Sequence, residues 1–292
     1  MMPYGNALLD FVRTAPAGSK FRLAPTPSGY LHIGNAFNFV FNWLVARVSG
    51  ASLLLRIDDL DADRKRPEYV QDIFDSLHWL GLGWDEGPQT AAEFEEKWSQ
   101  HTRMLSYFEA LETLRAKGLL FACRKSRREL AAYDNYPAVF RDQGLSLDDD
   151  DVAWRIRTDH DLELRDFIVR RRDGIPAYQI ASVVDDLHFG VTHVIRGTDL
   201  QPSGAAQLFL ARCLSEPRYL GVRFLYHPLI TDASGEKLSK SEGADSLKAL
   251  RSQGGDAGVV FRQMGAFLGL EEPHPATADE LEDSFRLLVS TR

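Results

Sequence analysis

Short unbroken hydrophobic runs alternate with longer helical spacings along the first eighty residues. The runs Phe21–Ala24 and Ser52–Ile57 predict buried strands of a parallel sheet. The segment Ala36–Val48 is apolar on most sides, which predicts a buried helix. Glu68–Leu80 is amphipathic, and Pro67 suits the first turn of a helix there. This alternation predicts an α/β domain with a parallel sheet.

A longer helical spacing follows at Phe94–Lys117, and we interpret its apolar positions as core packing. From Leu119 the pattern changes: a short strand ends at Cys123, and Ser126 and Glu129 are spaced as a helix capping box. The apolar positions of the segment Phe94–Lys117 are Phe94, Trp98, Leu105, Phe108, Leu111 and Leu114.

We interpret residues 119–165 as an insertion, which carries the acidic run Asp148–Asp151, expected to be a solvated loop. Beyond it the strand–helix alternation resumes. Its segments are Asp166–Arg172, Ala181–Val184, Val191–Arg196, a helix at Ala205–Leu214, a strand at Phe224–Ile230, and a helical remainder from Ser246.

Composition narrows the class of protein. The chain has 292 residues, of which 44% are hydrophobic and 26% charged, as in ordinary folded domains. A net charge of −8 argues against nonspecific coating of nucleic acid but allows a local basic face. No apolar stretch approaches the roughly 20 residues that span a bilayer, so no membrane association is expected. Cys123 and Cys213 match no metal-ligand spacing, which favours a cytoplasmic protein with reduced thiols.

The loop sequence APTPSGYLHIGNAFNF, from Ala24 to Phe39, combines turn-forming residues with the start of a buried helix. A tight loop before a helix N-terminus is suited to holding an anion, because backbone N–H groups and the helix dipole point towards it. Neither a G-x-x-x-x-G-K-[ST] phosphate loop nor a G-x-G-x-x-G fingerprint occurs in the chain. The predicted anion site is therefore neither a P-loop nor a Rossmann dinucleotide site.

Two short stretches resemble the HIGH and KMSKS signatures of class I aminoacyl-tRNA synthetases: HIGN at His32–Asn35 and KLSKS at Lys237–Ser241. Longer stretches resemble glutamyl-tRNA synthetases over about residues 20–270. These are RLAPTPSGYLHIGNA, LLLRIDDLDADR, LHWLGLGWDEGP and DFIVRRRDGIPAYQIASVVDDLHFGVTHVIRGTDL. The short chain resembles the glutamyl-Q tRNA(Asp) synthetases, which attach glutamate to the queuosine base of tRNA(Asp).

The resemblance implies a doubly wound parallel sheet of the HUP-type, Rossmann-like α/β class, with a small α/β insertion and a short C-terminal helical tail. Residues 20–118 would form the first half of the catalytic domain, and 119–165 an acceptor-binding-like insertion. Residues 166–245 would form the second half with the KLSKS loop, and 246–292 the tail.

The resemblance also implies the reaction: ATP activates glutamate to glutamyl-adenylate, and the glutamate is transferred to the queuosine of tRNA(Asp). His32, Lys237 and Lys240 would be catalytic by stabilising phosphate charge. Mg²⁺ would accompany ATP, bound largely through phosphate oxygens and water. The residues implied for ATP binding are Pro25, His32, Gly34, Asn35, Asp199, Lys237, Leu238 and Lys240.

For glutamate, the resemblance implies that Arg22 and Arg196 pair with carboxylate and that Asp58 meets the ammonium group. For Arg56 and Asp59 a supporting ion pair or turn bond is an equal alternative to a role in binding. The full implied set for glutamate is Arg22, Ala24, Thr26, Asp58, Tyr178, Ser182 and Arg196.

Several positions depart from the family pattern. Asn35 stands at the second histidine of HIGH, Asp58 at a glutamate, and Ser182 at an asparagine. The last two leave strict selectivity for glutamate open. A zinc cluster of the C-x-C…Y-x₃-C kind is also lost, since Lys125 and Phe140 replace two of its cysteines. One thiolate and one phenol cannot form a tetrahedral zinc site, so no structural zinc is expected.

The RNA-contacting residues stay open at this point. The segments Cys123–Leu130 and Arg170–Arg172 are basic and are either phosphate-binding or merely solvated. Two other functions also remain: an adenylate-forming ligase with a different acceptor or amino acid, and a non-catalytic RNA-binding paralogue. The retained His32, Lys237 and Lys240 argue against the last. A monomer is expected.

Overall fold

The computed structural model describes residues 5–133, 136–158, 162–229, 246–271 and 273–291. The strands are β1 (Lys20–Leu23), β2 (Ser52–Leu55), β3 (Leu120–Cys123), β4 (Ala153–Ile156), β5 (Ile168–Arg170), β6 (His193–Gly197) and β7 (Arg223–His227). The helices are α1 (Gly5–Arg13), α2 (Ile33–Ser49), α3 (Pro67–Trp79), α4 (Ala91–Glu93), α5 (Met104–Ala116), α6 (Arg127–Leu130), α7 (Tyr178–His188), α8 (Gln201–Leu214), α9 (Pro217–Leu220), α10 (Leu247–Ser252), α11 (Gly258–Leu268) and α12 (Ala278–Thr291).

The chain divides into two compact units. The first contains residues 1–102, 191–198 and 223–292, and the second contains residues 103–190 and 199–222. Within the described residues, none of the helices is both long and apolar enough to cross a membrane.

Parallel strands form the sheet of the first unit. Strand β1 pairs with β2 in parallel, and β6 pairs with β7 in parallel. The two pairs lie side by side, because the amide of Thr192, just before β6, donates to the carbonyl of Lys20 at 3.0 Å. The α/β fold with parallel strands is therefore confirmed.

Helix α2 occupies the centre of the first unit. Ten of its 17 residues are buried, and it contacts β1, β2 and β6 as well as the helices α1, α11 and α12. The helix ends at Gly50, which adopts a left-handed conformation (φ 70°) that a residue with a side chain would reach only with strain. The predicted helices α2 and α3 and the strands β1 and β2 are confirmed within a few residues.

The predicted helical character from Ser246 onward is confirmed by α10, α11 and α12. Phe285 of α12 is fully buried in the core that surrounds α2. Arg286 donates to the carbonyl of Arg47 in the last turn of α2 at 2.8 Å, which ties α12 to the end of α2.

An antiparallel sheet and a group of helices form the second unit. The strand order is β3-β4-β5, so β5 joins a sheet whose other strands lie within residues 119–165. The predicted capping box is confirmed, since the Ser126 hydroxyl accepts from the amide of Glu129 and the Glu129 carboxylate accepts from that of Ser126. Between the helices, the buried carboxylate of Asp185 in α7 accepts from Tyr107 of α5 (2.7 Å) and from Arg103 just before it (2.8 Å), so it joins the two helices.

The expectation of one helical core segment over Phe94–Lys117 is wrong. The helix is interrupted at Ser99, which with Gln100 binds the carboxylate of Asp59. The interruption changes the helical phase, so Leu105 and Phe108 are 72% and 38% exposed although they share the apolar spacing. Phe94, Leu111 and Leu114 are buried as expected. The segment Ala181–Val184 lies inside helix α7.

Removal of the Phe285 ring tests the packing of α12. Phe285→Ala is expected to lower the free energy of unfolding by about 3–5 kcal/mol, because it leaves a cavity in the core. Leu287→Ala is the matched control on the same helix, since Leu287 is 65% exposed; its expected effect is about 0.5 kcal/mol or less. Urea unfolding followed by circular dichroism measures both. Equal effects would contradict the docking of this helix.

We expect the folding stability to fall in acid because of the buried His193. Its ring is buried and stacks on Phe21 at 4.9 Å. Burial lowers its pKa from 6.5 to about 4, and the cationic Arg223 adds to this effect. The unfolded chain therefore binds the proton first, so stability is complete above pH 6.5 and falls as the pH drops towards 4.

The loss between pH 6.5 and pH 4 is expected to be about 3 kcal/mol. His193→Phe keeps the stacking and should abolish this part of the pH dependence. Urea unfolding at pH 7, 5.5 and 4.5 measures it, with His188→Gln as a control at an exposed histidine. An unchanged pH profile in His193→Phe would show that another group is responsible.

Candidate active site at the carboxyl edge of the parallel strands

The predicted anion-binding turn lies at the start of α2. His32 is the residue immediately before the helix and has an extended backbone. Its amide donates to Oδ1 of Asn35 at 3.0 Å, while its carbonyl accepts from the amides of Asn35 and Ala36. Asn35 thus closes the turn through its side chain, and Gly34 lies between them in the first helical turn. The positive end of a 17-residue helix dipole is located here.

The residues that follow the predicted lysine-bearing segment contact this turn. Lys237, Leu238 and Lys240 lie outside the described residues. The first described residue after them, Ser246, forms an antiparallel bridge with His32. The next amide, that of Leu247, donates to the carbonyl of Leu31 at 2.7 Å.

Two predicted carboxylate ligands share one edge of the parallel strands. Arg22 lies near the end of β1 and Arg196 near the end of the neighbouring strand β6, and both are buried. The guanidinium of Arg196 lies 5.0 Å from the ring centroid of Phe224. Carboxyl ends of adjacent parallel strands are where α/β folds bind ligands, and the helix that follows β1 begins at the same edge.

Asp58, predicted to meet an ammonium group, forms a bidentate ion pair with Arg56. Nε and Nη2 of Arg56 lie 2.6 and 3.0 Å from the two oxygens of Asp58, and both side chains are buried. The amide of Asp58 donates to the carbonyl of Pro25 at 2.9 Å, which ties this loop to the loop that carries Ala24 and Thr26. Of the two alternatives for Arg56, the structure shows the supporting ion pair.

Asp59 supports the same loop rather than facing a ligand. Its carboxylate accepts from Lys65 (2.9 Å), from the hydroxyl of Ser99 (2.7 Å) and from the amide of Gln100 (2.8 Å). Burial lowers the pKa of Lys65, but its bonds to Glu95 and Asp59 outweigh burial and raise the pKa above 10.5.

The remaining predicted ligands belong to the second unit. Tyr178 begins helix α7 and is 43% exposed, whereas Ser182 one turn later is buried. Asp199 is exposed in the short helical turn before α8.

Sequence reasoning missed a polar network that anchors α2. The side-chain nitrogen Nδ2 of Asn42 donates to the backbone carbonyls of Asn38 (2.9 Å) and Ile195 (3.2 Å). Nε2 of His227, at the end of β7, lies 3.1 Å from Oδ1 of Asn38. The available signal was two asparagines spaced four apart in an otherwise apolar helix, since such side chains need partners when buried.

The altered zinc motif forms a hydrogen-bonded cluster. Oη of Tyr136 lies 3.1 Å from Sγ of Cys123 and 3.0 Å from the carbonyl oxygen of Phe140, and Gln143 donates to the same Oη at 3.1 Å. The rings of Tyr136 and Phe140 pack edge to face. Among the described residues, no group of three or more His, Cys, Asp or Glu side chains could hold a metal ion.

These features define the class of protein: an α/β domain in which the start of a buried helix and buried arginines lie at the carboxyl edge of parallel strands. The family described as tRNA synthetases class I (E and Q), catalytic domain, matches residues 20–138 and 139–272. The chain belongs to this family, and the resemblance found in the sequence is confirmed.

Two relatives illustrate the similarity. A glutamyl-Q tRNA(Asp) synthetase of Parasynechococcus marenigrum (strain WH8102) is 43% identical over 258 residues, which cover 86% of this chain and 84% of the relative. Glutamate–tRNA ligase 2 of Acidiphilium cryptum (strain JF-5) is 39% identical over 305 residues, covering 92% of this chain but 65% of the relative.

A solved structure shows the shared fold. The glutamate-tRNA synthetase of Elizabethkingia anophelis superposes with a TM-score of 0.72 at 21% identity, over 92% of this chain and 66% of that chain. The chain thus spans about two thirds of the glutamate–tRNA ligases that it matches.

Substitutions in the Arg56–Asp58 pair test whether this ion pair stabilises the loop. Asp58→Asn is expected to lower the free energy of unfolding by about 3–5 kcal/mol, because it leaves a buried guanidinium uncompensated. The double variant Arg56→Met, Asp58→Leu should lose less than the sum of its two single variants. Urea unfolding of the parent, Asp58→Asn, Arg56→Met, Asp58→Leu and the double variant measures this. If Asp58→Asn keeps full stability, the ion pair is not what holds this loop.

Proposed function

We propose that this protein is a ligase that activates glutamate with ATP and transfers it to the queuosine base of tRNA(Asp). The observation that carries the proposal is the 43% identity to a glutamyl-Q tRNA(Asp) synthetase over 84% of that protein's length. The buried arginines, the helix start and the retained signature residues supply the chemistry that the reaction requires.

The first step forms the adenylate. An oxygen of the glutamate α-carboxylate attacks the α-phosphorus of ATP, the bond to the β-phosphate bridging oxygen breaks, and pyrophosphate leaves. A carboxylate is already a nucleophile, so the protein has to position the reactants and stabilise negative charge. Amides at the start of α2 and the side chain of His32 suit phosphate oxygens, as would Lys237 and Lys240. Mg²⁺ would be held mainly by the phosphates and water.

The chain connectivity supports a shared role for the two signatures. Lys240 precedes Ser246 by six residues, and Ser246 bridges to His32. Six extended residues span at most about 21 Å. Lys240 can therefore act on the same triphosphate as His32 within the constraint of its tether.

Glutamate recognition would use the buried cations. Arg22 and Arg196 present planar guanidinium groups that match carboxylate oxygens. Asp58 keeps lone pairs that can accept from an ammonium group while it pairs with Arg56. In the second step, an acceptor group on the RNA attacks the activated carbonyl carbon, the bond to AMP breaks, and the new ester retains the glutamyl group. We further propose that the protein acts as a cytoplasmic monomer.

A ligase with a different amino acid or acceptor is the second candidate. The observation in its favour is the shorter Asp58, whose two oxygens are both engaged by Arg56. The fully buried Ser182, at a position where the family has asparagine, points the same way.

ATP–pyrophosphate exchange with each of the twenty amino acids tests activation. We expect exchange with glutamate alone, and a loss of about 10²–10³-fold in Lys240→Ala, in line with removal of one charge-stabilising group. Lys97→Ala is the matched control, since Lys97 is an exposed lysine. Exchange with another amino acid would favour the second candidate, and no exchange with any amino acid would contradict ligase activity.

Transfer of labelled glutamate tests the acceptor. tRNA(Asp) with queuosine should be labelled, and the same tRNA lacking queuosine should not. Glutamate-dependent exchange without labelling of either RNA would refute queuosine transfer while leaving the activation step intact.

A further inference from the structure

The acidic run Asp148–Asp151 lies along a cluster of arginines in the second unit. The cluster consists of Arg115, Arg124, Arg170 and Arg172. The carboxylate of Asp148 lies 2.5 Å from Arg115, that of Asp149 lies 3.7 Å from Arg124, and that of Asp151 lies 3.6 Å from Arg172. Arg124 also donates to the backbone carbonyl of Asp150 at 3.0 Å. Each of the four residues of the run thus contacts an arginine, Asp150 through its backbone carbonyl.

The sheet topology produces this arrangement. Because β4 is antiparallel to both β3 and β5, the ends of β3 and β5 lie at the same edge where β4 begins. Arg124 follows β3, Arg170 ends β5, and the acidic run leads directly into β4. Residues that are almost fifty positions apart are therefore neighbours, and Arg172 donates to the carbonyl of Arg124.

Trp154 fixes two of the arginines. It is buried in β4, and its ring centroid lies 4.8 Å from the guanidinium of Arg170 and 5.6 Å from that of Arg115. A polar cleft of about 340 Å³ lies between the acidic run and Arg170 and Arg172. The guanidinium groups are thus held at a surface that has room for an anion.

The pairs themselves are weakly held. The side chains of Asp148 and Asp151 are 67% and 71% exposed, and the arginines that they contact are 33% and 36% exposed. Each exposed pair contributes a factor of about five or less to an equilibrium, and salt screens it. With the run in place, four aspartates balance four arginines. The run thus occupies three of the four arginines, Arg115, Arg124 and Arg172.

We propose that the arginine cluster is an RNA phosphate-binding surface and that the acidic run occupies it as an intramolecular competitor. The inference rests on the proposed function for its RNA substrate. RNA exchanges with Asp148–Asp151 on Arg115, Arg124 and Arg172, and Arg170 lies beside them at the same cleft. The run thereby weakens association with RNA in general, and only an RNA that makes further contacts displaces it.

Equilibrium binding of fluorescently labelled tRNA(Asp), measured by anisotropy at several salt concentrations, tests this exchange. The test variant carries Asp148→Asn, Asp149→Asn, Asp150→Asn and Asp151→Asn. Asparagine keeps the hydrogen-bond acceptors of the loop and tolerates the left-handed backbone (φ 54°) of Asp151. We expect binding about tenfold tighter than in the parent, with a steeper salt dependence because fewer carboxylates compete.

The matched control carries Glu163→Gln, Glu271→Gln, Asp279→Asn and Asp283→Asn, which change the net charge equally at exposed positions elsewhere. It should bind like the parent. Arg124→Ala and Arg172→Ala together should weaken binding about tenfold or more and abolish the gain from the asparagine substitutions.

Equal tightening in the test and control variants would mean that net charge alone is responsible, and the proposal would be wrong. Unchanged binding in the asparagine variant or in the arginine variant would also overturn it. Glutamate-dependent ATP–pyrophosphate exchange, which needs no RNA, is measured in parallel, so failure of this surface is distinguishable from failure of the activation step.

Discussion

Burial of helix α2 against the parallel strands is the constraint on which the first unit depends. Ten buried side chains fill the space between the strands and the C-terminal helices. Apolar packing alone would allow the helix to rotate or slide at low cost, since hydrophobic contacts are non-directional. Asn38 and Asn42 remove that freedom, because their amides must meet Ile195 and His227 at the strand ends. The start of the helix, with His32, is thereby fixed at the carboxyl edge of the strands.

Buried guanidinium groups give that edge its chemical character. Arg22, Arg56 and Arg196 are each less than a tenth exposed, and a buried charge is costly without a compensating partner. Asp58 compensates Arg56 directly. Arg22 and Arg196 lie near the carboxyl ends of the neighbouring parallel strands β1 and β6, the edge at which α/β folds commonly bind ligands. Under the proposed function, they would act by placing positive charge at that edge.

The second unit shows that local charge is decided by topology rather than by composition. The net charge of −8 belongs to the whole chain and does not indicate the charge of any single surface of this unit. Its antiparallel sheet gathers Arg124, Arg170 and Arg172 at one edge, beside Arg115 of helix α5, and leads an acidic run past them. The acidic run was expected to be only a solvated loop, and its side chains are indeed largely exposed, but three of them are ion-paired. Solvation and pairing coexist because exposed pairs exchange readily with water.

The sequence by itself determined the elements whose signals are local. Apolar runs gave β1 and β2, amphipathic spacing gave α3, and the capping residues Ser126 and Glu129 gave α6, because each depends on neighbours within a few residues. The family was likewise readable, since its signatures are contiguous. Spacing failed at Leu105 and Phe108, where a distant carboxylate, that of Asp59, interrupts the helix and shifts its phase.

Only the tertiary structure decided which charges meet. The pairing of Arg56 with Asp58 rather than with a ligand, and the meeting of Asp151 with Arg172, depend on side-chain directions and strand order. Electrostatic contacts act through space and carry no periodic trace along the chain, so the sequence offered an ion pair at Arg56 only as one of two alternatives and gave no sign of the contact between Asp151 and Arg172.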